Sequence, residues 1–356
     1  MSRKGKIMWC HKSVGQGSGR TDYRTKSLRA AVGALLAMGG MLGLAGCGGG
    51  TGSGLNSSFS DQPFPTTATP VPGATPGKPS SQIVFDANRT GDFQIYTVNA
   101  NGTEMKRLTA DSGTIKRDNT LPVFNPARTK IAYVSKTLPS GDPNIYIMDA
   151  DGTNGKPLTT EGGYAPSFSP DGSQLLFVKG HSIAVMDSDG SHVKVLTTAG
   201  SNESVGDPSF SPDGKTIVFY SGNVGQFGSF LSLYLMDADG KNKRQLKMQT
   251  AGPTNIHARF SPDGHKILFE TDLGRNSFNQ ISVVNTDGSN SKTVINDTKF
   301  FYNQPAWSPD GSKIVFSSNR LGSHYHLYTA NADGSHITPV TPVTSGPGDD
   351  KDPDWR

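Results

Sequence analysis

Beyond residue 80 the chain alternates between short apolar runs and clusters of turn-forming residues. One kind of run is unbroken: Gln82-Ile83-Val84-Phe85, Ile131-Ala132-Tyr133-Val134, Leu175-Leu176-Phe177-Val178, Ile217-Val218-Phe219, Ile267-Leu268-Phe269 and Ile314-Val315-Phe316. Apolar side chains at consecutive positions predict a strand covered on both faces. A second run follows it, as in Ile145-Tyr146-Ile147-Met148 and Leu233-Tyr234-Leu235-Met236. It ends in a tight turn: Asn99 to Gly102, Asp149 to Gly152, Asp187 to Gly190, Asp237 to Gly240, Asn285 to Gly288 and Asn331 to Gly334. Asp-Gly and Asn-Gly tolerate the positive φ that two-residue hairpins demand. The third strand is polar and outermost, as in Lys106-Arg107-Leu108-Thr109, Lys156-Pro157-Leu158-Thr159 and Lys194-Val195-Leu196-Thr197, with Lys and Pro guarding a free edge.

The remaining strand is short and ends on an aromatic anchor. Ser-Pro-Asp-Gly follows Phe168, Phe210, Phe260 and Trp307, and a degenerate copy reads Phe124-Asn125-Pro126-Ala127-Arg128. With Trp355, the anchors lie 44, 42, 50, 47 and 48 residues apart. Four short strands in a period of about 40–50 residues are the signature of a propeller blade. The first copy, from Ser81, begins at its second strand, whereas Asp352-Pro353-Asp354-Trp355 is a first strand with nothing after it. The expected fold is therefore all-β, a six-bladed β-propeller over 81–356 closed by pairing the C-terminal strand with the first blade. The aromatic-Ser-Pro-Asp-Gly and Tyr-x-Met-Asp-x-Asp-Gly signatures resemble the WD-like propeller repeat of the TolB family. That resemblance implies the fold over about 275 residues. TolB itself carries an α/β domain before its propeller, and here a Pro-rich stretch stands in that place.

Composition agrees with strands and turns. Gly 43 and Pro 23 of 356 residues disfavour helix bundles and coiled coils. The net charge of +4 divides unevenly: residues 1–46 hold eight basic residues and one acid, leaving 26 basic against 29 acidic elsewhere. A net of −3 on the folded part argues against nucleic acid as a partner. The basic start precedes a charge-free run from Ala30 to Ala45, at 16 residues short for a membrane span, as in a secretory signal. Leu44-Ala45-Gly46-Cys47 resembles a bacterial lipobox, which implies a signal peptide over 1–46 and a lipid on Cys47. Cys10 would leave with the signal, so the mature chain has neither free thiol nor disulfide. Residues 47–80, rich in Gly, Ser and Pro, then form an extended tether to the membrane. Gly48, where a retention signal would place Asp, favours the outer membrane. Expected localisation is the cell envelope: periplasmic, outer-membrane-associated or surface-exposed.

The candidate chemistry lies on the face carrying the longer loops. Residues three before each anchor, Leu121, Ala165, Asp207, His257, Gln304 and Asp352, are expected near a central channel mouth. Asp207, His257 and Asp352 combine imidazole and carboxylates, which is the donor chemistry of a divalent-metal site, but isolated polar channel residues ordinarily bind water. No metal and no cofactor is therefore expected. Asn88-Arg89 and Asn319-Arg320 recur at one place in the repeat, and an arginine fork there suits a carboxylate or glycan. Tyr164, Phe227, Phe230, Phe278, Phe300, Phe301 and Tyr302 offer stacking surfaces. The Asp-x-Asp-Gly turns lack the bidentate Glu of a calcium loop, since Leu158, Leu196, Leu246 and Val294 stand there. No Gly-x-Ser-x-Gly elbow occurs, so a peptidase is not expected. The expectation is a monomeric, non-catalytic envelope scaffold, lipid-tethered, that recognises a protein or glycan through Asp207, His257, Tyr302, Gln304, Arg320, Asp352 and Arg89. The alternative is an extracellular lyase-like carbohydrate enzyme with a metal at the channel mouth.

Overall fold

The computed structural model describes residues 82–355 except 112, 226–227, 250–251, 273–278, 298 and 343–347. These belong to the second of two units into which the chain divides, Thr67–Arg356. The signal peptide, Cys47 and the tether lie outside the described residues, as do Phe227 and Phe278.

Every regular element described is a strand. The repeat pattern reappears as antiparallel four-strand modules. One is Arg117–Phe124, Lys130–Thr137, Asn144–Asp149 and Lys156–Pro157; another is Tyr302–Trp307, Lys313–Ser318, His326–Asn331 and Thr338–Pro339. The module containing Gln82–Ala87 takes its first strand from Asp350–Trp355, with Ile83 opposite Trp355 and Val84 opposite Asp354. Two modules do not stay separate. Thr216–Gly225 and Gly228–Asp237 pair along ten residues each, well beyond the apolar runs at Ile217 and Leu233. This long hairpin reaches the next module, where Leu231 meets Thr254 in a parallel bridge and joins both into one eight-stranded sheet. Gly222 permits the pairing, since a Cβ there would stand 1.9 Å from the Phe230 carbonyl oxygen. The outer strand is often only two residues, such as Lys106–Arg107, and Lys194–Thr198 is longer at five.

Why the second strand is apolar at every position is plain from the core. Val84 packs with Phe124, Ile131 and Tyr133 of the following module, whereas Ile83 and Phe85 pack with Val315 and Leu327 of the module before the C-terminal strand. Successive residues thus serve two neighbours. The same division gives separate clusters around Phe177, Phe219, Phe269 and Phe316.

The Ser-Pro-Asp-Gly turns form as their chemistry requires. Ser169 Oγ donates to Asp171 Oδ1 and accepts from the Gln174 N–H, tying both ends of the turn. Gly172, Gly214, Gly264 and Gly311 sit at φ of 70–74°, open to glycine without steric cost.

Candidate functional site

The site begins with a repeated backbone irregularity. In each first strand the register slips once, for example between Thr120↔Val134 and Val123↔Ala132. The first residue of each bulge is left-handed: Leu121, Ala165, Asp207, His257, Gln304 and Asp352 all have φ between 49 and 53°. Five of the six precede proline (Pro122, Pro166, Pro208, Pro305 and Pro353). A bulge leaves one amide without a ladder partner, and proline removes that amide. Left-handed backbone costs an L-residue about 1–2 kcal/mol, so the conformation is held by the surrounding sheet. These are the six positions expected from spacing alone. Their side chains line one small cavity of about 30 Å3, room for a water or two.

A second set of residues borders the bulges. Val134, Val178, Tyr220, Glu270 and Ser317 stand across the strand pair from the residue before each bulge, and Asp86 holds the same place in its strand. The site is consequently two-sided. Leu121, Val134, Ala165 and Val178 make an aliphatic side. Asp207, Tyr220, His257, Glu270, Gln304, Ser317, Asp352 and Asp86 make a polar one.

The polar side is a continuous network. His257 Nδ1 donates to Glu270 Oε2 at 3.0 Å, and its Nε2 faces Asp207 Oδ2 at 3.5 Å. Burial alone would push this imidazole down; Asp207, then Glu270, overcome it and hold the pKa up, at about 9. His257 is therefore held as a charged double donor at neutral pH, shared between Asp207 and Glu270. Backbone amides of the bulges donate into the same network: His257 N to Asp207 Oδ2, Gln304 N to Glu270 Oε2, Asp352 N to Gln304 Oε1 and Leu121 N to Asp86 Oδ1. Asp86 Oδ2 and Asp352 Oδ1 are buried without a conventional partner, because both are carboxylate oxygens. Burial, then the Asp352 charge, raises Asp86 well above the usual carboxylate range. Burial raises Asp352 as well, so protonation of one of the pair relieves the repulsion between these two buried carboxyls.

Arg89 and Tyr302 are placed elsewhere. Arg89 is taken up by Asp350, with Nε to Oδ1 at 2.8 Å and Nη2 to Oδ2 at 2.5 Å. Tyr302 is fully buried, edge-on to Phe316 within the apolar core. Arg320 lies over the Tyr328 ring at 5.9 Å, outside the cavity lining. Tyr164, Phe300 and Phe301 are half-buried, and Phe230 is exposed on the long hairpin. Spacing did not reveal Asp86 and Glu270; the signal for them was an acid continuing an otherwise apolar strand, after Phe85 and Phe269. Among the described residues no group of three His, Cys, Asp or Glu side chains could hold a metal ion.

Antiparallel four-strand modules packed face to face, with their first strands around a channel, define a β-propeller. The model of the TolB beta propeller domain matches residues 72–253, and the chain belongs to that family. Among solved structures it resembles TolB from Acinetobacter baumannii at 24% identity and TM-score 0.63, over 79% of this chain and 67% of that one. A putative TolB from Agrobacterium tumefaciens is similar at 16% identity and TM-score 0.55, over 78% and 99%. Kuenenia stuttgartiensis hydrazine synthase is similar at 17% identity and TM-score 0.62, over 81% and 50%. No curated protein matches the chain.

Proposed function

We propose that this chain is a six-bladed propeller, closed by Asp350–Trp355 on Gln82–Ala87, that serves as a non-catalytic binding scaffold of the cell envelope. The apolar cluster joining Ile83 and Phe85 to Val315 and Leu327 supports closure, because it buries the first module against the one ending at Pro339. A signal over 1–46, a lipid on Cys47 and a tether over 47–80 would hold the propeller at the membrane. The ligand is a protein or glycan meeting the long-loop face around Asp207, His257, Gln304, Asp352 and Arg320.

One observation carries the binding assignment. Six separate strands each adopt an unfavourable left-handed residue at the same cavity, and four of the six side chains are polar. Strained positions converging on a concave site with four polar side chains support a binding role there. The test is capture from envelope extract with wild type and with Gln304→Ala and Arg320→Ala, all verified as folded. A specific protein or glycan retained by wild type and lost by both variants is the expected result. Equal retention by the variants, together with cleavage of a polysaccharide by the purified protein, would overturn it.

A further inference from the structure

The tight turns on the face opposite the channel mouth form two circuits, and one of them is incomplete. In the outer circuit each two-residue hairpin leans on the outer strand of the neighbouring module. A Cβ on Gly102, Gly152, Gly190, Gly240, Gly288 or Gly334 would stand 2.0–3.0 Å from a carbonyl oxygen there. The first module takes part, since Gly102 meets Val340, just beyond Thr338–Pro339. In the inner circuit the proline of one Ser-Pro-Asp-Gly turn leans on the glycine of the next. A Cβ on Gly172 would meet Pro126 Cδ at 3.3 Å, and one on Gly311 would meet Pro262 Cδ at 3.4 Å; the two turns between repeat the contact at 3.7 Å. Here the first module contributes no turn, because its first and second strands, Asp350–Trp355 and Gln82–Ala87, are not consecutive in the chain. The gap has two sides. On one, Pro309 is exposed and, among the described residues, has no following turn to lean on. On the other, Arg128 holds at φ 57° the place of the glycines, with its N–H on Asn125 O as theirs are on serine, and its Nη2 points to Gln82 O at 3.4 Å.

We propose that residues 75–81, which lie outside the described residues and lead directly into Gln82, dock in this gap and complete the inner circuit. The chain itself sets the occupant: Ser81 is bonded to Gln82, and Gln82, Arg128 and Pro309 line one funnel among the turns. The segment reads Thr75-Pro76-Gly77-Lys78-Pro79-Ser80-Ser81. Prolines three apart lie on one side of a polyproline II helix, about 9 Å from each other. Pro79, three residues from Gln82, covers the Arg128 stem, and Pro76 meets Pro309, so proline packs on both sides of the gap as it does at the other turns. The two prolines also lower the entropy lost on docking, since they hold the free segment extended. The match to the TolB propeller model begins at residue 72, ahead of the first described strand at Gln82, in keeping with a propeller that includes this segment. The chain before residue 75 then departs from the turn face, opposite the mouth around His257.

Full-length protein is compared by calorimetry with Pro76→Gly/Pro79→Gly and, further up the chain, with Pro63→Gly/Pro65→Gly. In an undocked tether, glycine for proline alters the folded and unfolded chains alike and leaves the melting temperature unchanged. The first pair should melt several degrees lower, and the second should melt with wild type. A second measurement is made at a temperature where every variant is folded. A fluorescently labelled peptide of residues 72–81 is titrated into wild type and into a chain whose residues 72–81 are replaced by Gly and Ser. The replaced chain, its gap open, should bind the peptide saturably and about tenfold or more tighter than wild type, where the tethered segment competes at high effective concentration. Arg128→Gly in the replaced chain, which suits the turn but removes the stem, should weaken that binding. Gln304→Ala should not, which separates this gap from the mouth proposed above as a binding scaffold. Equal melting of wild type and both proline variants, or equal peptide binding by wild type and the replaced chain, would overturn the proposal.

Discussion

Arg89→Ala tests how the C-terminal strand is held. The side chain of Asp350 is 0% exposed and that of Arg89 13%, and the two meet through a bidentate pair. Alanine would leave the carboxylate buried, with His326 Nδ1 at 3.4 Å as its remaining side-chain neighbour. Breaking a buried pair from one side costs about 3–5 kcal/mol. For a domain of this size about 2 °C is lost per kcal/mol, so the melting temperature should fall by roughly 6–10 °C. Replacing both partners with apolar residues, Arg89→Met with Asp350→Leu, should recover most of the loss, since no charge is then stranded. Arg320, at the same place in its own module, meets the Tyr328 ring instead of a carboxylate, and Arg320→Ala should cost less than about 1 kcal/mol. Calorimetry on the four proteins decides the matter. If Arg89→Ala melts with wild type, or if the double variant is the least stable, the pair is not the clamp described.

Stability should fall on both sides of a window from about pH 4 to about 6.5. His257 is raised to about 9, so its contribution is full below about pH 6.5 and lost as pH climbs towards the folded value, whereas Asp86, raised by burial, contributes fully only below about pH 4 and tilts the window downward as pH rises. Asp171 and Asp310 are pulled to about 2 by bonds from Ser169 and Ser308, so their contribution is lost as pH falls towards that value. Asp86→Asn, which mimics the protonated acid, should flatten the alkaline side of the curve of melting temperature against pH; an unaltered alkaline loss would contradict the shared proton. Ala165→Gly should stabilise by about 0.5–1 kcal/mol in denaturant titration, because only a Cβ is lost from a left-handed position. Gly206→Ala should destabilise strongly, as its Cβ would stand 2.4 Å from the Tyr220 ring.

The strands were legible in the sequence because each carries a local cause. Unbroken apolar runs mark the second strands, and Pro-Asp-Gly and Asp-Gly fix their turns. The six channel positions were legible from their offset to the anchors, since the repeat fixes the register. Their left-handed backbone and the bulge at each were not legible in that offset and emerged only from the strand pairing. Other features depend on contacts between distant segments. Asp350 pairs with Arg89 across 261 residues, at a position whose counterpart in the module ending at Pro339 is Tyr302. No local pattern announces that a recurring arginine is clamped in one module and stacked on a ring in another. The long hairpin was hidden for the opposite reason. Ser221 to Gly228 has loop composition, and its pairing rests on the close approach that Gly222 allows.

The central claim is that the strand ending at Trp355 completes the module beginning at Gln82 and closes the ring. Deleting residues 349–356 removes that strand, the Asp350 clamp, the Asp352 carboxylate and the Trp355 anchor together. Calorimetry on the shortened chain should show a melting temperature lower by many degrees, with amides of Ile83 to Phe85 exchanging fast. A melt and an exchange pattern matching the full chain would contradict the closure.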